Sequence, residues 1–350
     1  MRIFLPLQAL TVVVAISLLC GCSSGSFSAV PPKPGALPGG PRSLAGPLAG
    51  PLADILNQST LQRTGSRSGR HHASFYACPK RGSIKYISDF NNNVINIYAG
   101  KLKGHAPCGR IASYLGGPEG LYVDHATHDL YVADTYFGEI RVYHRARMHA
   151  YATYFDRSAG EYPVDVTVAK DGTIIASNLR SIDGAVAGSI STWIGGRFVG
   201  NYPMTNSLYG GYVTVARNGT VYFDDIDATS NMGVVWSMSC PAGVCGAQTQ
   251  VAGVSLNYPG GMAIAASGNL LINDWANNTA DTFELPNPEP STLPVTHGPL
   301  GLAINEQDHH LFVAGTQRNE TVEYLYPGGP VVGKVSGDPF GSTTGVAVDD

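Results

Sequence analysis

The sequence predicts an all-β ring of six four-stranded sheets, closed by pairing the chain's last strand with its first. Three observations predict it. A phrase of strand, Asp, polar turn and strand recurs from Pro118 onward at spacings of 40 to 49 residues, and a fixed period of that length marks a repeat architecture. The last copy, TTGVAVDD at 343–350, holds one strand, and what it lacks stands near the other end as IKYISDFNNNVINIY, 84–98. The composition agrees. Gly 43, Pro 23 and charged residues at 14% suit many short strands joined by tight turns, and after residue 22 no stretch keeps apolar residues at helical spacing.

The first element lies outside the fold. Arg2 is the only charge in the first 32 residues, and an apolar run ending VVVAISLLCGC follows it. That run has the length of a signal-peptide core and is too short for a membrane span. Its end, Leu19-Cys20-Gly21-Cys22, resembles the bacterial lipoprotein lipobox. The resemblance implies a signal peptide over 1–21, cleavage before Cys22 and acylation of Cys22, whose two or more chains would anchor the protein stably. An ordinary secretory signal, cut near Ser26 or Ala29, is the alternative. Ser23 after the cysteine resembles the outer-membrane sorting pattern, so the expected address is the bacterial cell envelope, lipid-anchored at the outer membrane.

Residues 22–83 come next. PPKPGALPGGPRSLAGPLAGPLADIL and TLQRTGSRSGRHH lack the apolar periodicity a core needs and read as a disordered tether. The tether holds seven Lys/Arg against one acid, Asp54, whereas 84–350 hold 14 against 25 Asp/Glu. A basic segment beside the membrane suits anionic headgroups at about 1 kcal/mol per charge near the surface, although a solvated linker would carry the same charges. The acidic domain excludes nucleic acid as a partner, because phosphate binding needs a basic face. Four cysteines remain: Cys78, Cys108, Cys240 and Cys245. An even number in an exported chain favours disulfides over metal ligation. Cys240 with Cys245 would close a small loop, and Cys78 with Cys108 would staple the first blade.

The domain itself is expected over 84–350. Its copies read PEGLYVD…LYVAD from 118, PVDVTVAKDGTIIASN from 163, GGYVTVARNGTVYFDD from 210, PGGMAIAASGNLLIND from 259, PLGLAINEQDHHLFVAG from 299 and TTGVAVDD from 343. In each full copy two alternating apolar runs flank a turn rich in Asp, Asn and Gly, which is a hairpin signature. Counting the split copy once gives six blades, and the strand Gly345 to Asp349 should pair with the strand starting at Ile84. Closure removes the exposed edges that an open array would leave. The fullest copy, PEGLYVDHATHDLYVADTYFGEIRVY at 118–143, resembles the NHL-repeat and SMP-30/gluconolactonase-like β-propellers. The resemblance covers about three quarters of the chain and implies a six-bladed β-propeller, expected as a monomer.

That resemblance also says where ligands bind: the mouth of the central channel, lined here by Glu119, Asp165, Tyr209, Gly260, Leu300 and Thr344. In the lactonases it implies a divalent cation, such as Ca²⁺, held by a Glu, Asn residues and an Asp. Only Glu119 and Asp165 match, and hard cations want six or more oxygens. The histidines His105, His125, His128, His144, His149 and His297 share no repeat position, whereas zinc needs three or four converging ligands. Asp124, Asp134, Asp224, Asp225 and Asp274 sit at strand ends and read as turn-capping groups. Trp193, Trp236 and Trp275, with Tyr136, Tyr209 and Tyr258, read as packing between blades, a sugar- or peptide-binding platform being the alternative. No G-x-S-x-G, Walker, H-E-x-x-H or EF-hand motif occurs. The sequence therefore points to a non-catalytic binding scaffold without cofactor, whose partner is an envelope protein, a glycan or a small molecule; the alternative is a metal-dependent lactonase or other hydrolase using Glu119 and Asp165.

Overall fold

In a computed structural model, the structure describes residues 73–104, 106–156, 161–181, 187–285, 287–337 and 340–350. The signal peptide, Cys22, the tether as far as residue 72, and His105 lie outside the described residues. What is described is a ring of six antiparallel sheets. Blade 1 is the split one. Its innermost strand is Thr343–Asp349, followed outward by Ile84–Asp89, Val94–Ala99 and Gly109–Ile111. Blades 2 to 6 open with inner strands Pro118–Asp124, Glu161–Val168, Ser207–Val215, Pro259–Ile264 and Pro299–Ile304. The two other elements are single turns of 3₁₀ helix, Thr135–Phe137 and Pro241–Gly243.

The predicted closure is present. Ile84 pairs with Asp349, Tyr86 with Ala347 and Ile87 with Val346. Residues 73–83, given to the tether in the sequence reading, join blade 1. Phe75–Tyr76 adds a fifth strand against Gly109–Ile111, and Cys78 is bonded to Cys108. The second disulfide joins Cys240 to Cys245.

Every inner strand runs from what we term the upper face to the lower face. Loops between blades and between second and third strands lie on the upper face; the first hairpin turns of blades 2 to 6 lie on the lower. Side chains between neighbouring blades form the core, as in the seam of Ile84, Tyr86, Ile95, Leu121, Val123 and Val132 between blades 1 and 2.

The inner strands converge on a ring of glycines. Gly120, Gly261, Gly301 and Gly345 occupy the same repeat position in four blades, and in blade 4 Tyr212 holds it. A Cβ at Gly261 would lie 2.6 Å from the Leu300 carbonyl, and one at Gly345 would collide with the Glu119 carbonyl. Backbone approaches backbone here, so only glycine fits. In blade 3 the same repeat position holds Asp165.

The strand-end aspartates anchor the upper face. Asp89 accepts from the Gly341 and Ser342 amides at 2.8 and 3.0 Å. Asp134 accepts from Gly116 at 2.7 Å, and Asp274 from Asn257 at 2.8 Å. Each carboxylate thus ties the loop that leads into its own blade's inner strand. Asp124, at the end of an inner strand, caps its own turn through the Ala126 amide at 3.0 Å. Asp224 and Asp225 do neither. They point sideways within blade 4, to the Tyr212 amide at 2.8 Å and the Trp236 indole at 3.3 Å.

Candidate functional site

The six inner strands enclose a cavity of about 270 Å³ on the ring axis. It is a cup. Its narrow end is the glycine ring, where the strands touch, and toward the lower face they spread apart. Asp165 stands at the narrow end, beside Gly120, filling space that a side chain there would need. The Val213 amide donates to its Oδ2 at 3.1 Å. His125 and Arg217, from the first hairpin turns of blades 2 and 4, line the lower end. Each inner strand is paired on one side only, so the wall of the cup also presents unpaired backbone N–H and C=O groups.

Above the ring, the upper mouth is filled with aromatic side chains. Phe90, Tyr162, Tyr209 and Tyr258 are buried together with Val164, Leu179 and Ile226, and Tyr136 and Trp275 pack against them. Phe90 and Tyr136 lie 4.9 Å apart between centroids, and Tyr258 and Trp275 5.7 Å. These residues come from five of the six blades, so the cluster is both a plug and a tie between blades. Trp193 and Trp236 are elsewhere, Trp193 buried with Ile140 and Val166 in the seam of blades 2 and 3.

The residues expected at the channel mouth therefore divide. Tyr209 belongs to the plug. Thr344 is buried in the seam between blades 1 and 2, 3.0 Å from the Ser88 hydroxyl and 3.2 Å from the Pro118 carbonyl. Glu119 is fully buried beneath the plug: its Oε1 lies 3.3 Å from the hydroxyl of Tyr212, which comes from blade 4 and lines the cup, and its Oε2 3.2 Å from that of Thr135. Thr135 lies closer to the Pro163 carbonyl, at 2.8 Å. Burial pushes Glu119 up to about 8 and Asp165 up to about 7, the neighbouring hydroxyls and amides opposing it. Asp224 is raised by the same cause.

A divalent cation does not fit this arrangement. Both oxygens of Glu119 are engaged by hydroxyls, and among the described residues no three His, Cys, Asp or Glu side chains are grouped to hold a metal.

The lower face carries a feature that the single sequence did not disclose. His128 contacts Asp349 at 2.7 Å, His144 contacts Asp129 at 2.7 Å, His310 contacts Glu323 at 2.9 Å and His125 contacts Glu306 at 3.5 Å. Arg145 also reaches Asp349 at 2.5 Å and the Gly82 carbonyl at 2.6 Å. The chain's end is thus fastened to blade 2 as well as to its own blade.

No protein-family model matches the chain, and no curated protein matches it. Among solved structures, a chain from the crystal structure of a nidogen/laminin complex is similar at a TM-score of 0.59 and 15% identity, covering 77% of this chain and 99% of that one. A protein of unknown function from Bacteroides caccae gives 0.54 at 12% identity, covering 77% and 99%. The hydrazine synthase of Kuenenia stuttgartiensis gives 0.53 at 15%, covering 75% and 80%. Likeness at these identities shows the fold and leaves function to the site.

Proposed function

We propose that the chain is a lipid-anchored cell-envelope propeller that binds a ligand or partner without catalysing a reaction. One observation carries the reading: both oxygens of Glu119, a carboxylate that a lactonase would turn toward a cation, are taken up by the hydroxyls of Thr135 and Tyr212 in a fully buried site. A ring whose blades are tied by buried side chains is a rigid scaffold, and the loops at its faces are free to specify a partner. The propeller in the nidogen/laminin complex is a case of the same ring in a protein assembly. Leu19 to Cys22 and the basic tether support the anchor at the outer membrane.

The test uses the full chain expressed in a bacterium, purified from membranes in detergent. Chemical cross-linking in intact envelope, followed by identification and reconstitution of the cross-linked partner, should return a saturable complex. Cys22→Ala should move the protein out of the membrane fraction. A stoichiometric divalent cation together with lactone hydrolysis, both lost in Glu119→Gln, would overturn the reading in favour of the hydrolase. Unchanged membrane partitioning of Cys22→Ala would overturn the anchor.

A further inference from the structure

The cup has polarity along its axis. Asp165 stands at its closed end, close enough to the acids Glu119 and Asp224 to raise the proton affinity of each. The open end is basic. His125 is already matched by Glu306 at 3.5 Å, whereas among the described residues no carboxylate contacts Arg217. Between the two ends run six strand edges whose N–H and C=O groups have no partner in their own sheets. Such an edge is a template for another strand.

The length of the cup sets the size of its occupant. The Val213 amide touches Asp165 and so marks the floor on blade 4. Arg217 follows four residues later on the same strand and turn, about 13 Å away at ~3.3 Å per residue. Arg217 lines the mouth, so a ligand of about 10 Å that meets its side chain bridges the ends, which is roughly three extended residues. The volume of about 270 Å³ lies at the small end of the range for ligand pockets.

We propose that the cup binds a short zwitterionic peptide, its amino terminus inward on Asp165, its terminal carboxylate outward on Arg217, and its backbone paired with an inner strand edge. The proposal rests on the reading of the propeller as a binder, and names its ligand class. An ammonium group beside Asp165 supplies the counter-charge that the buried carboxyl lacks, so the peptide ionises the acid as it binds. A neutral sugar would satisfy the strand edges equally well and would leave both charged ends unanswered.

The test is calorimetric titration of the detergent-solubilised full chain at about pH 7.5, where a terminal amine is still largely charged. The probes are Ala-Ala-Ala, its N-acetyl form, its C-terminal amide, and glucuronate. Trialanine should bind at one per chain. N-acetylation and Asp165→Asn should each weaken binding at least tenfold, and their combination should cost little more than either alone, as expected when both delete one contact. Amidation and Arg217→Ala should behave as a second such pair. Arg217 is exposed in a turn, so its variant stays folded even if Asp165→Asn does not. The proposal is overturned if trialanine gives no heat at millimolar concentration, if capped and free peptides bind alike, or if glucuronate binds more tightly than the peptide. A protein that retains its cross-linked envelope partner yet ignores trialanine would keep the scaffold reading and lose this site.

Discussion

Glu119 and Asp165 stand at adjacent repeat positions of neighbouring blades, and each places an acid where the other blade has none. Both are acids held above their ordinary range by burial, Glu119 at about 8 and Asp165 at about 7. The sign of the consequence is fixed by linkage. An acid whose proton is held more tightly in the folded state stabilises the fold at low pH and loses that contribution as pH rises toward its folded value. Stability should therefore fall between about pH 5 and 8, where the unfolded carboxyls have ionised and the folded ones have not. Glu119→Gln, which mimics the protonated group, should reduce this slope by up to about 1.4 kcal/mol per pH unit. Denaturant titrations at several pH values measure it, and an unchanged slope would show that Glu119 is ionised in the fold. Gly345 gives a steric counterpart. Its missing side chain lets blade 1 touch the Glu119 carbonyl, so Gly345→Val should destabilise by about 3 kcal/mol or more. Little of this was legible from residues alone. Asp165 could be placed near the axis, but whether a carboxylate faces solvent or a neighbouring blade depends on contacts between residues 48 apart, as with Val213.

Turns and strands were the most legible scale. Hairpins around Asp171-Gly172 and Asn218-Gly219 follow from turn chemistry, and both glycines adopt positive φ, 82° and 87°. The strand-end aspartates were read correctly as structural, but their partners were only partly visible. Asp124 caps its own turn, whereas Asp89, Asp134 and Asp274 hold the loop leading into the inner strand. Asp274→Ala strands the Asn257 amide and should cost about 1 to 3 kcal/mol, read as a drop in melting temperature with the ring still closed. The staples rank by the chain they enclose. Cys78–Cys108 spans 30 residues and Cys240–Cys245 spans 5. On a loop-entropy account, removing the first should cost about 3.5 kcal/mol and the second about 2 kcal/mol. Paired Cys→Ala variants compared in denaturant test the order.

At the level of the molecule, the period in the sequence revealed both the blade number and the split blade, because each blade repeats the same solution to burying two sheet faces. Which face of the ring opens was not legible. The repeats specify strands, whereas the aromatic plug assembles single side chains from five blades, Phe90 and Trp275 among them. The histidine–carboxylate contacts of the lower face escaped for the same reason: His128 and Asp349 stand 221 residues apart. Those contacts add to the closure, since Asp349 answers both His128 and Arg145. The most direct measurement is the thermal unfolding of a chain ending at Thr344. Loss of residues 345–350 should abolish the single cooperative transition and make blades 1 and 6 sensitive to protease. A permuted chain carrying 343–350 ahead of residue 73 should restore both. A truncated protein that melts within a few degrees of the full chain would contradict the closed ring.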